Sequence, residues 1–434
     1  MKKGQRWLPF LLTALAVLPW LTALAGPFQF DDHNVIAGFA PVHSLAAWWH
    51  SMPGIRPLLK LSYAANWTLS PSPFGFHLFN LLVHLLNGAL LLAWARRVLP
   101  LREGPCVFLA LLWLLHPVQT EAVTYIAGRS VSLSATFFLA GLLVLASDGR
   151  RSSLWAALFT LLGLAVRETA WVFPLLFVLV DYVRGKRLRE ALRLALPSLL
   201  VVLAAVAFFL LEPHYRQMVE TSFAARDLAA QWRAQTLGLS WLLGQLFSLN
   251  PDIDPDLRVP LQWHAALLWQ CGGIVFLAFA ALYFSWRYRS WKAAGLLWFF
   301  LLLLPTNSLM PRLDVANDRH LYIALAGPLW TLLLCMQEWR YRHLVAGALV
   351  LVFAAATLVR NEDYRSELAL WLRAAEQSPG KARVWNNLGM ACSEAGRTEC
   401  AERAFRQAMV LDPVDTRAAV NLYFLKNPAV KKRQ

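Results

Sequence analysis

Charge is what this sequence has little of. Only 15% of its 434 residues are Asp, Glu, Lys or Arg, well below the quarter usual in a globular chain. With 58% hydrophobic residues and a mean hydropathy of +0.46, that shortage excludes a soluble enzyme of this size. Cysteine is sparse as well. Cys106, Cys271 and Cys335 lie in apolar stretches, where a thiol behaves as a small hydrophobe. Cys392 and Cys400 sit in the polar tail without metal-ligand spacing; an oxidising face would allow a disulfide between them, but two free thiols are expected. An inverted repeat and a charge pair at midplane depth are also missing, which argues against a lipid or glycan transporter.

What is present is a succession of apolar stretches long enough to cross a hydrocarbon core. We read spans at 7–24, 74–95, 106–125, 131–147, 154–166, 170–183, 192–211, 261–283, 293–309, 321–336 and 344–359. The basic clusters are Lys2/Lys3/Arg6, Arg96/Arg97/Arg102, Arg150/Arg151, Arg184/Lys186/Arg187/Arg189, Arg287/Arg289/Lys292 and Arg340/Arg342. If these eleven spans alternate, all six clusters fall on one side, and that side is expected to be the cytoplasm. The stretch 235–249 is apolar but short. Were it to cross, the later clusters would face outward, so a re-entrant or interfacial helix is expected. The expectation is a multi-pass protein of the plasma (inner) membrane, N-terminus cytoplasmic and tail periplasmic. Residues 1–26 would also suit a cleavable signal peptide; an uncleaved first helix is expected. The net charge of +15 invites a nucleic-acid reading. Because many of the basic residues anchor short loops, the expected partner is instead the lipid bilayer.

After residue 359 the composition turns polar. Trp385, Leu388, Gly389, Ala401, Phe405, Ala408 and Pro413 have the spacing of a tetratricopeptide repeat. Gly389 and Ala401 would let two helices approach, Trp385, Leu388 and Phe405 would fill the seam, and Pro413 would end the second helix. One period earlier, Trp371, Ala374 and Pro379 make 362–378 the second helix of a half-repeat; 417–425 would be a cap. So short an array is marginal alone and should lean on the membrane domain, as a structural cap or as the holder of a protein acceptor. The fold class is therefore all-α, a polytopic helical bundle over 1–359 with a short repeat module over 360–434.

Polar residues beside the spans gather at their outer ends. The first outer loop, 26–73, carries Asp31-Asp32-His33-Asn34 and Arg56; later loops carry His116, Glu121 and Arg129, then Arg167-Glu168, then Asp314, Asn317, Asp318, Arg319, His320 and Tyr322. Each has a structural use. Asp31-Asp32 would cap a helix, His116-Pro117 would bend one, Arg167 and Glu168 would neutralise each other, and Arg319 would pair with Asp314 or Asp318. Carboxylates and arginines converging from four loops nevertheless suggest transfer from a phosphorylated lipid. Arg offers a forked, permanent charge to a phosphate leaving group, and a carboxylate can take the acceptor hydroxyl's proton. Arg319 is the first candidate for the phosphate, ahead of Arg129 and Arg56.

FQFDDHNVI, GIRPLLKLSY, FGFHLFNLLVHLLNG, LLHPVQTEAVTYIAGRS, RETAW, NDRHLYI and RNEDYRSELALWLRAAEQSPGKARVWNNLG occur in that order. In this the sequence resembles the transmembrane and tetratricopeptide-repeat O-mannosyltransferases, of the GT-C class, along nearly its whole length. The resemblance implies inverting transfer of mannose or a similar sugar from a polyprenyl-phosphate donor to a hydroxyl, protein Ser/Thr in this family, on the outer face. It puts the base at Asp31 with Asp32 beside it, and leaves a divalent cation open. Two departures stand out: a much shorter repeat array, and Arg167 where Lys is usual before the Glu. The competing reading is a non-enzymatic scaffold that recruits envelope-assembly partners through its repeat module.

Overall fold

The computed structural model describes residues 8–51, 54–224, 226–308, 311–312 and 314–427, and among them no strand occurs. The first basic cluster, Lys2/Lys3/Arg6, lies outside the described residues. Each of the eleven apolar stretches carries helix, but among the described residues five helices are by themselves long and apolar enough to cross a membrane: Pro73–Val98, Ile126–Leu145, Leu188–Leu211, Ala265–Tyr288 and Arg342–Asp363. A sixth crossing is made if Glu103–Leu115 and Pro117–Val123 count as one span bent by 51°. The bend falls at His116-Pro117, where Pro cannot donate an N–H to continue the helical ladder. The remaining stretches form helices of 10–17 residues, or the 11-residue Phe173–Val183 behind the 3-10 turn Glu168–Val172.

Pro73–Val98 is central to the bundle. Proline stands at its first turn and Arg96 and Arg97 in its last, which suits the helix ends. His77, Asn80, His84 and Asn87 recur along it three or four residues apart and are buried, so this membrane helix carries a polar stripe into the protein. Trp291–Leu303 crosses Ala326–Cys335 at Gly295 and Gly327, where an added Cβ would run into the facing backbone. Trp94, Trp298 and Trp330 fill the space around that crossing. At one end of the bundle three of the basic loops meet: Arg184 and Lys186 pair with Asp148, and Arg289 lies over the Tyr182 ring.

Most of the stretch 235–249 lies in the helix Leu228–Gln245, whose Gln231, Gln235 and Gln245 are buried, and its last four residues follow that helix; it is not among the helices able to cross alone. Beyond the last span come Glu367–Gln377, Ala382–Glu394, Thr398–Leu411 and Arg417–Lys426. Gly389 gives way to the Phe405 ring, as its spacing requires. Two expectations need correction here. The helix expected from residue 362 starts at Glu367: Glu362 belongs to the span helix, which ends at Asp363, and Ser366 caps a new one by accepting the Ala369 N–H at 3.1 Å. Cys392 and Cys400 are not free thiols but a disulfide. They face each other from adjacent antiparallel helices, Cα atoms 5.8 Å apart, within bridging range.

Candidate active site

The first outer loop is shaped by its own backbone. Phe30 has φ +48°, a left-handed conformation that costs a bulky residue. The next two side chains take opposite directions. Asp32 is buried and accepts the Gln29 N–H at 3.0 Å and the Ala127 N–H at 2.8 Å. Burial pushes its carboxyl up to about 8, against the pull of those two bonds. Asp31 lines a cavity of about 390 Å³.

Arg56, Lys60, Arg167, Arg312 and Arg319 line the same cavity, and their charges are not equally compensated. Arg56 lays a two-pronged bond on Glu168, at 2.9 and 2.6 Å, and Arg312 reaches the same carboxylate at 3.7 Å. Although burial would raise it, the Arg56 guanidinium holds Glu168 at about 2. Arg319 gives its backbone N–H to Glu121 at 3.0 Å, with its guanidinium 3.8 Å from that carboxylate. Arg167 differs from these. It is buried, its bond to Ser130 Oγ is 2.7 Å long, and among the described residues it has no ion-pair partner, because Glu168 beside it is taken by Arg56. Burial, then the neighbouring Arg56 charge, lowers it to about 9. A narrow cleft of about 50 Å³ shares Arg167 and Arg319 with the cavity and is otherwise mostly apolar, with Val131, Ala135, Phe173 and Leu302 in its walls. A buried cation that makes no direct ion pair among the described residues, between a polar chamber and an apolar slot, suits an amphipathic anion.

Thus Asp31, Arg56, Arg167 and Arg319 come together, with Glu121 and Glu168 holding arginines. The others named from sequence stand elsewhere. Arg129 is buried outside the cavity, bonded to Asn80 Oδ1 at 2.7 Å and to the Phe76 carbonyl at 3.1 Å, its guanidinium between the Tyr63 and Phe79 rings. It fastens Pro57–Leu69 to Pro73–Val98. His116 is packed on Phe353 and bonded to the Leu246 carbonyl at the helix bend. Tyr322 is buried, its hydroxyl meeting His84 at 2.8 Å and Asn87 at 3.1 Å. Asp314 pairs with Arg383, not with Arg319, and both Asp318 carboxylate oxygens lack a partner among the described residues. Lys60 and Arg312 were not singled out in the sequence. Lys60 lies one helical turn after Arg56, the only local signal for it; Arg312 sits in a loop where nothing but its charge marks it. Among the described residues no group of three or more His, Cys, Asp or Glu is placed to hold a metal ion.

Protein O-mannosyl-transferase TMTC3 of Mus musculus is 25% identical over 485 residues, covering 95% of this chain and 52% of that protein. Protein O-mannosyl-transferase F38B6.6 of Caenorhabditis elegans is 21% identical over 444 residues, covering 93% and 62%. The Homo sapiens TMTC3 is 25% identical over 476 residues, covering 93% and 51%. The chain is a relative of the TMTC protein O-mannosyl-transferases. It spans about half the length of the TMTC3 proteins it matches. No family model and no solved structure matches the chain. The similarity to the TMTC proteins runs through both the helical bundle and the tail, so the cavity and the helices beside it fall within the shared part.

Proposed function

We propose that this protein is an inverting glycosyltransferase that moves mannose or a similar sugar from a polyprenyl-phosphate donor to a hydroxyl, protein Ser or Thr, on the outer face of the membrane. The observation that carries the reading is Arg167, a buried cation with no ion-pair contact among the described residues, at the junction of the polar cavity and the apolar cleft. The donor's phosphate meets Arg167, with Arg312 and Arg319 beside it, and its isoprenoid chain leaves along the cleft. The sugar and the acceptor occupy the chamber between these arginines and Asp31. The acceptor oxygen attacks the anomeric carbon while its proton passes to the Asp31 carboxylate. The bond from that carbon to the phosphate oxygen breaks, and its electron pair leaves with the polyprenyl phosphate. The negative charge that develops there is what the arginines stabilise. Asp32 holds the loop.

The test uses the purified protein with polyprenyl-phosphate mannose and a serine- and threonine-containing peptide. Asp31→Asn keeps the shape but not the proton acceptor, so transfer should fall by about two to four decades with donor binding retained. Near-normal turnover in that variant would remove Asp31 from the mechanism.

A further inference from the structure

The first helix of the C-terminal module, Glu367–Gln377, lies directly on the acidic loop. The Glu367 carboxylate accepts the Phe30 N–H on Oε1 at 3.1 Å and meets His33 Nε2 on Oε2 at 3.0 Å. Trp371 donates its indole N–H to the same Oε1 at 3.3 Å and sets its ring edge-on to Phe30, centroids 5.3 Å apart. Just before that helix, the Tyr364 carbonyl accepts the Gln29 side-chain N–H at 2.7 Å. The residue gripped on both backbone and ring is Phe30, which has the left-handed backbone and immediately precedes Asp31. A strained residue persists only where its surroundings over-determine it, and here those surroundings belong largely to the module. Asp31 itself is tied through its backbone N–H, to the Tyr125 hydroxyl at 3.2 Å.

We propose that Glu367 is a positioning residue: through Phe30 it sets where Asp31 points into the cavity, which makes the module part of the catalytic unit rather than an appended arm. This rests on the reading of Asp31 as the base. Glu367 does not reach the cavity lining and touches no donor-side arginine, so its influence should fall on turnover and spare donor binding. Gln at this position still accepts the Phe30 N–H and loses only the charge, which faces His33 and also acts on Asp32; Ala loses both.

The experiment compares full-length wild type, Glu367→Ala and Glu367→Gln in two measurements. The first is amide hydrogen exchange without substrate. Glu367→Ala should exchange about tenfold faster over 29–34, with the segments carrying Arg167 and Arg319 unchanged and the melting temperature close to wild type. The second is transfer from polyprenyl-phosphate mannose to a serine- and threonine-containing peptide. There kcat should fall about ten- to a hundredfold at unchanged donor KM, and Glu367→Gln should recover most of it. Wild-type exchange over 29–34 overturns the proposal, and so does faster exchange with unchanged kcat. Faster exchange throughout the chain with kcat and KM both impaired assigns Glu367 to folding alone and overturns it too. Full activity of Asp31→Asn sinks the reading of the base instead, while the exchange measurement still decides whether Glu367 holds the loop.

Discussion

Replacing Arg167 by Met removes a buried guanidinium that makes no direct ion pair among the described residues, in exchange for an apolar side chain of similar length. An uncompensated buried charge costs more than an apolar group in the same place. Arg167→Met should therefore melt at or above the wild-type temperature without donor, while its affinity for polyprenyl-phosphate mannose drops at least tenfold, about the weight of one charge-assisted contact. A lower melting temperature with unchanged affinity would make Arg167 a structural residue. Asp32 supports a pH prediction. Its carboxyl stands at about 8 in the folded chain against an ordinary 3.8, so between those values the folded state holds the proton and the unfolded state does not. The stability it contributes is full at low pH and is lost as pH rises through about 8. Thermal unfolding from pH 6 to 9 should show that loss in wild type and a flatter profile in Asp32→Asn. Identical slopes would mean that Asp32 is ionised throughout. At this scale the sequence was legible in part. Asp31, Arg56, Arg167 and Arg319 were nameable because charge beside a membrane span is costly and needs a reason. The same argument could not separate Arg129, His116 and Tyr322, whose reason is packing, since burial among Asn80, Phe353 or His84 depends on partners far away in the chain.

Helices were the readily legible elements, because apolar length and the basic residues at their ends mark them locally. Their breaks were less so. The kink at His116-Pro117 follows from proline chemistry, whereas the stop at Tyr364 depends on Ser366 starting another helix, and periodicity runs through it. The crossing at Gly295 and Gly327 was not anticipated at all. Small residues are frequent in membrane helices, and nothing local says which pair faces each other. Gly295 and Gly327 make a sharp test, for the obstacle to an added Cβ at Gly327 is the Gly295 carbonyl, which cannot turn aside as a side chain can. Gly327→Ala should separate the two helices, loosen the tryptophans Trp94, Trp298 and Trp330 around them, and lower the melting temperature in detergent. Gly347→Ala, where an added Cβ meets nothing within 4 Å, should be neutral. Equal stability of the two variants would show that the helices do not cross this closely.

The two ends of the molecule differ in chemistry. At one end Asp148, Arg184, Lys186 and Arg289 bring basic loops together; at the other, Asp31, Arg56, Arg167 and Arg319 surround the cavity, with the C-terminal module packed on it. Asp254 strengthens that docking by accepting from both Lys381 and Arg383. Whatever the orientation, then, the first outer loop and the module must share a side. We propose that this side lies outside the cytoplasm: positive-inside bias favours it, and the Cys392–Cys400 disulfide suits an oxidising compartment. Ser51→Cys and Glu394→Cys place thiols at exposed positions on the loop and the module, and Arg150→Cys places one on the basic end. In a background with Cys106, Cys271 and Cys335 replaced by Ala, a membrane-impermeant maleimide should label the first two in intact cells. The third should react only after permeabilisation. Labelling of Arg150→Cys alone would turn the cavity toward the cytoplasm and away from an outer-face acceptor. Opposite reactivity of Ser51→Cys and Glu394→Cys would contradict the contacts among Phe30, His33 and Glu367, and with them the argument that the module orders the loop.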